Sequence, residues 1–483
     1  MEAIDRISFL PDDLTHHIMS LLPMKDIART SILSKRWMSH WLCFPVQEFD
    51  ESWFKGRRES CGRDFHEYLR RSLARRDFDN MQELKIITYS QIDDELKHLI
   101  TRFVAKEILR GKLQKLDLHV RDHVGNSLCD HYALPRVIFS SGSFLVSLTI
   151  RHCKIGAYQK VSLPLLQNMK LISVHVTNYP LERVIRNCPD LETLTLEYCH
   201  GFDTLKLFNP SVRRLVVRGC MALQGFEMDA PRLNYFQCSG IRDFDEAFVY
   251  RPDHFCCRFL EFKVANENSM SSLETLVFSF MVLNDRTFES ALSKFSNLET
   301  LKLLSSVFGK LPSSLSSAIL KKLKLVRMEN CRFDGPVEIH SPNLETFVYK
   351  AGHGEIASFH FGGRGFGNIK TLAVNGFLGL RNKSLEELIS ACILLENLYL
   401  NSCAIPKGHL EIYSLTLKTL VVHGCDHLHF AEIQAPQLLY FQYVGQLENF
   451  PTLNFAPCDL DADLLLVSKP SIDIDYAQLI NFV

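Results

Sequence analysis

The sequence predicts an α/β chain in which a small three-helix unit precedes a solenoid of stacked parallel strands, shaped as a horseshoe with an irregular and partly helical convex side. Three observations predict this architecture. Residues 5–45 are apolar and divided by prolines into short helical segments. A leucine pattern that ends in a small residue recurs from about residue 84 or 113 onward. Its period, 21 to 26 residues over the regular stretches, is the length of one stacked structural unit.

The composition is that of an ordinary folded chain, with 46% hydrophobic and 23% charged residues. The net charge of −1 creates no overall field toward nucleic acid or anionic membrane. No apolar run approaches the ~20 residues of a membrane span, and the start MEAIDR lacks the order of a secretion signal. Fifteen cysteines in such a chain predict reduced thiols and a location in the cytoplasm or nucleus.

The N-terminal stretch reads as three short helices. Leu10 to Asp13 opens the first helix with acidic residues that suit the positive end of the helix dipole. An apolar stripe at helical spacing follows, formed by Leu14, Ile18, Leu21 and Leu22. Pro23 ends this helix, a second runs about 25–31, and Ser34 can cap a third that carries Trp37 and Trp41 one turn apart. A unit of roughly 40 residues usually needs a partner to cover its apolar face.

The order L-P, then I and L-L-P, then K-D, then S-x-L-S-K-R-W closely resembles an F-box of the plant type over residues 5–45. The resemblance implies a three-helix adaptor module that docks onto a Skp-family protein, which is itself attached to a cullin. The residues that match the family's docking positions are Leu10, Pro11, Ile18, Leu21, Leu22, Ile27, Leu33 and Trp37, with Trp41 beside them. The alternative is a helical cap that closes the following domain with its own apolar face.

Residues 46–83 are predicted to be a basic linker with a capping helix. Between Lys55 and Arg76 there are eight Lys or Arg residues and three Asp or Glu residues. Phe65, Leu69 and Leu73 form an apolar stripe, which predicts a solvated helix that covers the first repeat. The alternative is a nuclear-import or phosphate-binding patch built on the arginine pairs 70–71 and 75–76.

The repeat is L-x-x-L-x-L-x-x-C, and six nearly intact copies begin at Leu145, Leu191, Val212, Leu323, Leu395 and Leu417. The last two apolar residues of each copy point to one side of a strand, because side chains alternate along it. The cysteine suits a small buried position, and its weak donor predicts that it serves mostly in packing. One such strand cannot bury its apolar face alone, so stacked copies form a parallel sheet with one continuous core.

These repeats resemble the leucine-rich-repeat half of plant F-box proteins. The predicted solenoid spans residues 84–446, with an irregular insertion at about 239–272 where the rhythm breaks. Residues 447–483 are acidic and apolar, and they are interpreted as a partial C-terminal cap. Relatives often carry a further module, the FBD domain, but the sequence shows no convincing copy of it.

The concave face of the solenoid is the predicted working surface, because its side chains alternate with the buried ones. The register assigns to it the candidate target-binding residues Arg151, Glu197, Arg214, Arg218, Lys302, Arg327, Lys350, Tyr399 and His423. Their signs are mixed, whereas a nucleic-acid surface would be dominated by Lys and Arg. The face therefore favours a protein or peptide ligand over nucleic acid.

Motifs for chemistry are missing from the sequence: it contains no H-E-x-x-H and no C-x-x-C, and its FGGRGFG stretch lacks the Lys-Ser/Thr of a phosphate-binding loop. We therefore expect no catalysis, cofactor or metal. The resemblance implies a substrate-recognition subunit of an SCF-type cullin–RING ubiquitin ligase, in which the concave face binds a protein target. The alternative is a leucine-rich-repeat scaffold or inhibitor that acts outside any ligase.

Overall fold

The computed structural model describes residues 10–54, 61–75, 80–120, 132–240, 257–258, 261–264, 269–283, 292, 294–308, 320–333, 341–352, 366–376, 384–405, 408–425, 428–446, 451–456 and 460–467. The chain divides into two compact units. Unit 1 contains residues 1–241 and 260–270, and unit 2 contains residues 242–259 and 271–483.

Unit 1 begins with the three predicted helices, α1 (Asp12–Ser20), α2 (Met24–Thr30) and α3 (Lys35–Cys43). Pro11 and Pro23 stand directly before α1 and α2, where a missing backbone donor costs nothing. The Ser34 hydroxyl accepts a hydrogen bond from the Trp37 backbone N–H at 3.2 Å, which confirms the predicted cap of α3.

The described part of unit 1 holds one parallel sheet of eight strands, each paired with the next along the chain. These strands are β1 (Val46–Asp50), β2 (Glu83–Ile87), β3 (Lys115–His119), β5 (Ser147–Arg151), β7 (Asn168–Ile172), β8 (Thr193–Glu197), β10 (Arg214–Arg218) and β12 (Tyr235–Ser239). The second and fourth residues of each strand are buried. The repeat pattern therefore predicted the inward face of this sheet.

The sheet starts earlier than the sequence predicts. Strand β1 lies inside the segment 46–83 that was assigned to a linker, and it pairs in parallel with β2. Its sequence, VQEFD, has none of the leucines of the repeat, so the pattern could not reveal it. Phe49 is nevertheless fully buried, because the helix α4 (Cys61–Arg75) packs over this strand.

Helix α4 confirms the prediction of a helix that covers the first repeat. Phe65 and Leu69 are fully buried, and the Phe65 ring lies 5.5 Å from the Phe54 ring. On the outer side, Arg70 forms ion pairs with Asp93 and Glu95, and Arg71 pairs with Glu67. These carboxylates neutralise Arg70 and Arg71, one of the two arginine pairs of the alternative phosphate-binding patch. Of the other pair, Arg76 lies outside the described residues.

The convex side of unit 1 alternates between helices and short outer strands. The helices are α5 (Asp94–Arg110), α6 (Val137–Ser141) and α7 (Asn178–Arg186), and a 3-10 turn covers Glu51–Phe54. The outer strands are β4 (Tyr132–Ala133), β6 (Cys153–Lys154), β9 (Thr204–Phe208), β11 (Gly225–Asp229) and β14 (Glu261–Val264). Short connections between consecutive strands of the main sheet thus form outer strands, and longer connections form helices, as the fold class predicts.

Unit 2 holds a second parallel sheet, with nine strands in its described part. They are β15 (Thr275–Ser279), β17 (Thr300–Leu304), β19 (Leu325–Glu329), β21 (Thr346–Lys350), β22 (Thr371–Asn375), β23 (Asn397–Asn401), β25 (Thr419–His423), β27 (Tyr440–Gln446) and β29 (Asp461–Val467). Its convex side carries α8 (Ser384–Ala391) and the outer strands β13 (Cys257–Arg258), β16 (Met281–Leu283), β18 (Val307–Phe308), β20 (Arg332–Phe333), β24 (His409–Tyr413), β26 (Phe430–Gln434) and β28 (Thr452–Phe455).

Two boundaries differ from the sequence prediction. Strands β28 and β29 lie within residues 447–483, so the repeats continue into the segment that was interpreted as a cap. In the segment 239–272, the described residues 257–258 and 261–264 form outer strands, and most of the remaining segment lies outside the described residues. Both stretches lack the leucine pattern, although their backbones join the ladders.

Neighbouring repeats are also joined just beyond each strand. In seven repeats of the described part of the chain, the residue after the strand is not glycine and has a positive φ, as in Tyr198 at 55° and Asn330 at 51°. The backbone N–H of this residue donates to the carbonyl of the last strand residue in the next repeat. The Tyr198 nitrogen, for example, lies 2.7 Å from the Arg218 carbonyl oxygen. This bond stabilises a conformation that costs a non-glycine residue free energy.

The repeating cysteines do more than fill space. The Sγ of Cys199 lies 3.4 Å from the Leu171 carbonyl, and the Sγ of Cys331 lies 3.2 Å from the Leu303 carbonyl, each in the preceding repeat. Burial raises the pKa of the Cys331 thiol to about 12, so this sulfur keeps its proton and can donate. The prediction that these thiols serve mostly in packing therefore missed a weak hydrogen bond between repeats.

A buried amide ties one repeat of unit 1 to the helix before it. The Asn209 side chain donates to the carbonyls of Ile185 and Cys188, both at 2.8 Å, at the end of α7. Its oxygen accepts from the Ser211 N–H at 3.0 Å. Ser341 is likewise buried and donates to two carbonyls of its preceding repeat. The residues directly before Pro210 and Pro342 therefore each connect one repeat to the preceding one.

We expect Asn209→Ala to lower the free energy of unfolding by about 2–4 kcal/mol, because it removes three hydrogen bonds of a buried side chain: two to backbone carbonyls and one from the Ser211 N–H. Asn187→Ala removes an exposed amide that makes one bond to the Arg183 carbonyl, so its effect should stay below about 1 kcal/mol. Urea unfolding followed by circular dichroism measures both. Equal losses for the two variants would contradict this role of Asn209.

The contribution of the Asp93 carboxylate to the stability of the fold should depend on pH. Its carboxylate accepts from the Leu96 N–H at 2.8 Å, and this bond, assisted by Arg70, holds the pKa of Asp93 below its ordinary value of 3.8. A depressed folded pKa means that the carboxylate stabilises the fold above the unfolded pKa and ceases to do so as the pH falls through the folded value. Asp93→Ala should therefore cost about 1 kcal/mol near neutral pH.

The same substitution should cost progressively less as the pH falls below about 3.8. Urea unfolding of wild type and Asp93→Ala at several pH values checks this. Asp94→Ala is the control, since Asp94 is exposed and pairs only with Lys97 at the surface. A cost for Asp93→Ala that is independent of pH would show that the carboxylate charge is irrelevant.

Candidate protein-docking surfaces

The three N-terminal helices have a small core of their own. Met19, Ile27, Trp37, Trp41 and Phe44 pack together, and each is at most 5% exposed. Both indoles therefore lie inside the unit, where their large apolar areas contribute most to stability.

This core is continuous with the first repeat. The buried Gln47 side chain, on strand β1, donates to the carbonyls of Trp41 and Phe44 at 3.2 and 3.0 Å. Lys25 donates to the Trp53 carbonyl at 3.3 Å. The end of α3 is thus bonded to strand β1, and α2 is bonded to the 3-10 turn that follows this strand.

Other apolar side chains of the helices face solvent. The most exposed are Leu21 at 72%, Ile32 at 85% and Leu33 at 63%. We call the whole set the exposed apolar residues of the helical unit: Leu14, Ile18, Leu21, Leu22, Ile32, Leu33 and Met38. So many large apolar side chains without cover in 25 residues are typical of a surface that binds another protein.

The predicted docking residues divide between these two groups. Pro11, Ile18, Leu21, Leu22 and Leu33 are exposed, and Leu10 is half-buried. Ile27, Trp37 and Trp41 are buried, so they position the helices rather than offer free surface.

Three exposed apolar residues were not among the predicted docking residues: Leu14, Ile32 and Met38. Leu14 shares the helical stripe of Ile18 and Leu21, which was a signal that could have included it. Ile32 and Met38 follow no periodic pattern, so only the packing of the helices reveals their exposure.

An ion pair fixes the start of α1 against α3. Arg36 donates to the Asp12 carboxylate at 2.8 Å and also to the Leu10 carbonyl. The hydrogen bond from Arg36 lowers the pKa of Asp12 below its ordinary value, against a smaller opposing effect of burial. This pair holds Leu10 and Pro11 next to the third helix.

The predicted concave-face residues all occupy outward positions of their strands. In unit 1 their charges pair across neighbouring strands. Arg151 lies 2.6 Å from Asp117, and Glu197 receives both Lys170 and Arg218 at 3.3 Å. Arg214 is not paired in this way, and its guanidinium lies 3.7 Å from the centre of the Tyr235 ring.

The face of unit 2 is different. Arg327 pairs with Glu329 on its own strand, and the Nδ1 of His423 lies 3.1 Å from the Asn401 Oδ1. Lys302 and Lys350 form no ion pair with any described residue of the chain. Burial raises the pKa of the half-buried Tyr399, so its hydroxyl stays protonated and can donate.

Within the described ranges, no group of three His, Cys, Asp or Glu residues is arranged to hold a metal ion. No described helix combines the length and apolar character that crossing a membrane requires.

Comparisons with known proteins agree with this geometry. Residues 7–46 match the family model of the F-box domain, and residues 103–245 match a model described as "FBD-associated F-box protein At5g56370, LRR repeats". F-box/LRR-repeat protein 13 of Arabidopsis thaliana is 31% identical over 253 residues, which is 50% of this chain and 53% of that protein. F-box/LRR-repeat protein At3g58930 of the same plant is 30% identical over 261 residues, 49% and 52% of the two chains.

Each of these alignments spans about half the length of the relative. Among solved structures, the leucine-rich-repeat protein LIC12759 of Leptospira interrogans aligns with 80% of this chain and 90% of its own, with a TM-score of 0.38 and 14% identity. The two family models show that the chain combines an F-box domain with leucine-rich repeats. It is similar to the F-box/leucine-rich-repeat proteins of Arabidopsis thaliana.

The division between core and exposed residues can be tested by stability. Trp37→Ala should lower the free energy of unfolding by about 3–5 kcal/mol, because it leaves a cavity in the core of the helices. Leu21→Ala should change it by less than about 0.5 kcal/mol, because Leu21 faces solvent. Thermal unfolding of the full chain, followed by tryptophan fluorescence, separates these outcomes. A large destabilisation by Leu21→Ala would refute the assignment of Leu21 to a free surface.

Proposed function

We propose that this protein is a substrate-recognition subunit of an SCF-type cullin–RING ubiquitin ligase. The F-box domain binds a Skp-family adaptor and through it a cullin, and the concave face of the repeats binds a protein target. The observation that carries the proposal is the set of exposed apolar residues on helices whose core is complete without them. A surface of this kind gains stability when a partner removes it from water.

The mechanism is proximity. A target held on the repeats stays close to the ubiquitin-conjugating enzyme that the same complex brings, so an encounter becomes a nearly intramolecular reaction. This chain supplies binding and orientation, and the transfer chemistry belongs to other subunits. The proposal places the protein in the cytoplasm or nucleus, where its buried thiols remain reduced.

The buried Ile27, Trp37 and Trp41 have an indirect role in this proposal. They hold α1, α2 and α3 in the arrangement that presents the exposed residues. Their substitution should therefore weaken adaptor binding only together with the stability of the helices, whereas substitution of Leu21 or Leu33 should weaken binding alone.

The decisive variant is Leu21→Ala/Leu33→Ala. If these side chains are central contacts, each truncation costs about 2 kcal/mol or more, which is a loss of about thirtyfold in affinity per residue. Titration calorimetry of the full chain with an Arabidopsis Skp-family adaptor measures the effect. The control is Leu109→Ala/Leu415→Ala, which truncates two leucines that are also exposed but lie on the repeats.

Loss of adaptor binding in the first variant alone would support the ligase role. If wild type fails to bind any Skp-family adaptor, the ligase role is wrong, and the repeats are a binding scaffold or inhibitor. Equal binding by both double variants would show that the adaptor does not use the exposed apolar residues.

A further inference from the structure

The middle outward position of successive strands in unit 2 forms one row, in which the buried Val277 of β15 precedes Lys302 of β17. The register places these side chains side by side from β17 to β29. We call this set the central row: Lys302, Arg327, Val348, Ala373, Tyr399, Val421, Gln442 and Asp463. Its chemistry changes steadily along its length, from cationic through apolar to anionic.

The first end of the central row carries excess positive charge. Lys302 and Arg327 are register neighbours in the row, and Lys350 lies on the next strand, two residues beyond Val348. The carboxylate among the described residues of β17, β19 and β21 is Glu329, which lies in register with Lys350 and forms its ion pair with Arg327. Lys302 and Lys350 therefore remain available to an incoming anionic group.

The other end is anionic. Asp461 and Asp463 are both exposed on β29, and Asp463 accepts a hydrogen bond from Gln442 at 3.0 Å. Both aspartates add to the effect of burial in raising the pKa of Tyr440 on the neighbouring strand. Among the described residues, neither aspartate forms an ion pair with a cation.

Between the two ends the row is apolar. Val348 and Ala373 form a floor that is only 5% and 7% exposed, and Val421 is half-buried. Tyr399 stands in this stretch as a half-buried side chain with a hydroxyl that can bond to a peptide backbone. Asn397 and Asn401 flank the row on the same strand, and their amides bond to Thr371 and His423 of the neighbouring strands.

Unit 1 provides the contrast. Most of its described concave charges pair with one another, as Lys85 does with Glu48, Lys115 with Glu83 and Arg151 with Asp117, and Arg214 lies against the Tyr235 ring instead. A ligand would have to break those pairs to use their charges, whereas the charges at the two ends of the central row are ready to bind.

We infer that the central row is the target site, and that its occupant is an extended segment of a partner protein with acidic residues at one end, aliphatic residues in the middle and basic residues at the other end. The segment lies across the strands, its acidic end at Lys302 and Lys350 and its basic end at Asp461 and Asp463. This inference rests on the proposed function and adds to it the chemistry of the target.

The spacing sets the length of the segment. Five ladder steps separate the strand of Lys350 from that of Asp463, or roughly 24 Å at the usual distance between neighbouring strands. An extended chain covers this distance in about seven residues. Acidic and basic groups in the target should therefore lie about seven residues apart.

Phage display of random twelve-residue peptides on the full chain tests the inference. We expect the selected peptides to carry acidic and basic residues about seven positions apart with aliphatic residues between them. Synthetic copies should bind Lys302→Glu/Lys350→Glu at least tenfold more weakly than wild type, and raised salt should weaken binding to wild type. The control is Lys321→Glu/Lys322→Glu, which makes the same change of charge at two exposed lysines outside the concave face.

A second selection, performed on Lys302→Glu/Lys350→Glu, should lose the preference for acidic residues at that end. The inference is wrong if selected peptides show no separation of charge, if they bind both double variants equally well, or if no peptide is enriched over background. In the last case the target is recognised through a folded surface rather than an extended segment.

These outcomes are independent of adaptor binding. Leu21→Ala/Leu33→Ala should bind the selected peptides as wild type does, and Lys302→Glu/Lys350→Glu should bind the adaptor as wild type does. Peptide binding without adaptor binding would retain the target site and reject the ligase role. Adaptor binding without selective peptide binding would retain the ligase role and reject the central row as the target site.

Discussion

The repeats of this protein depend on one constraint: a strand cannot bury its apolar side chains without the next strand. Each strand turns its second and fourth residues inward, and the leucines at these positions in one repeat are covered by those of its neighbours. The same stacking aligns the backbone ladder, the buried thiols and the turns of positive φ. A change in one repeat is therefore felt by the two repeats beside it.

The constraint leaves an open end that must be closed. In unit 1 the first strand is β1, and its apolar Phe49 is covered by α4. The F-box helices join this strand through Gln47, whose buried side chain donates to the Trp41 and Phe44 carbonyls. This attachment fixes the orientation of the F-box domain on the first repeat, which a flexible linker would leave free.

The outward face is free of the stacking constraint, and its two units use that freedom differently. In unit 1 acidic and basic side chains of neighbouring strands pair with one another, and each pair contributes little at the exposed surface. In unit 2 the charges are separated to the ends of the central row, with apolar residues between them. Separation of charge leaves binding capacity for a partner, whereas pairing consumes it.

The sequence predicted the repeats well because their signal is local. Alternation of leucines sets the inward positions of strands such as β8 and β19, and it also placed Arg218 and Tyr399 on the concave face. It missed β1, β28 and β29, because these strands have no leucine pattern and are formed by pairing with a neighbour. The positive φ of Tyr198 was likewise hidden, since a bond to the next repeat holds it.

The sequence by itself determined the order of the helices, the period of the repeats and the side of the sheet on which each side chain lies. Only the tertiary structure decided that Trp37 and Trp41 are core residues while Leu21, Ile32 and Leu33 face solvent. The tertiary structure alone decided that Glu197 forms ion pairs with Lys170 and Arg218, and that Lys302 forms none with a described residue. The physical reason is distance along the chain: alternation acts between adjacent residues, whereas burial and charge pairing depend on neighbours about 20 residues away, such as Glu197 and Arg218.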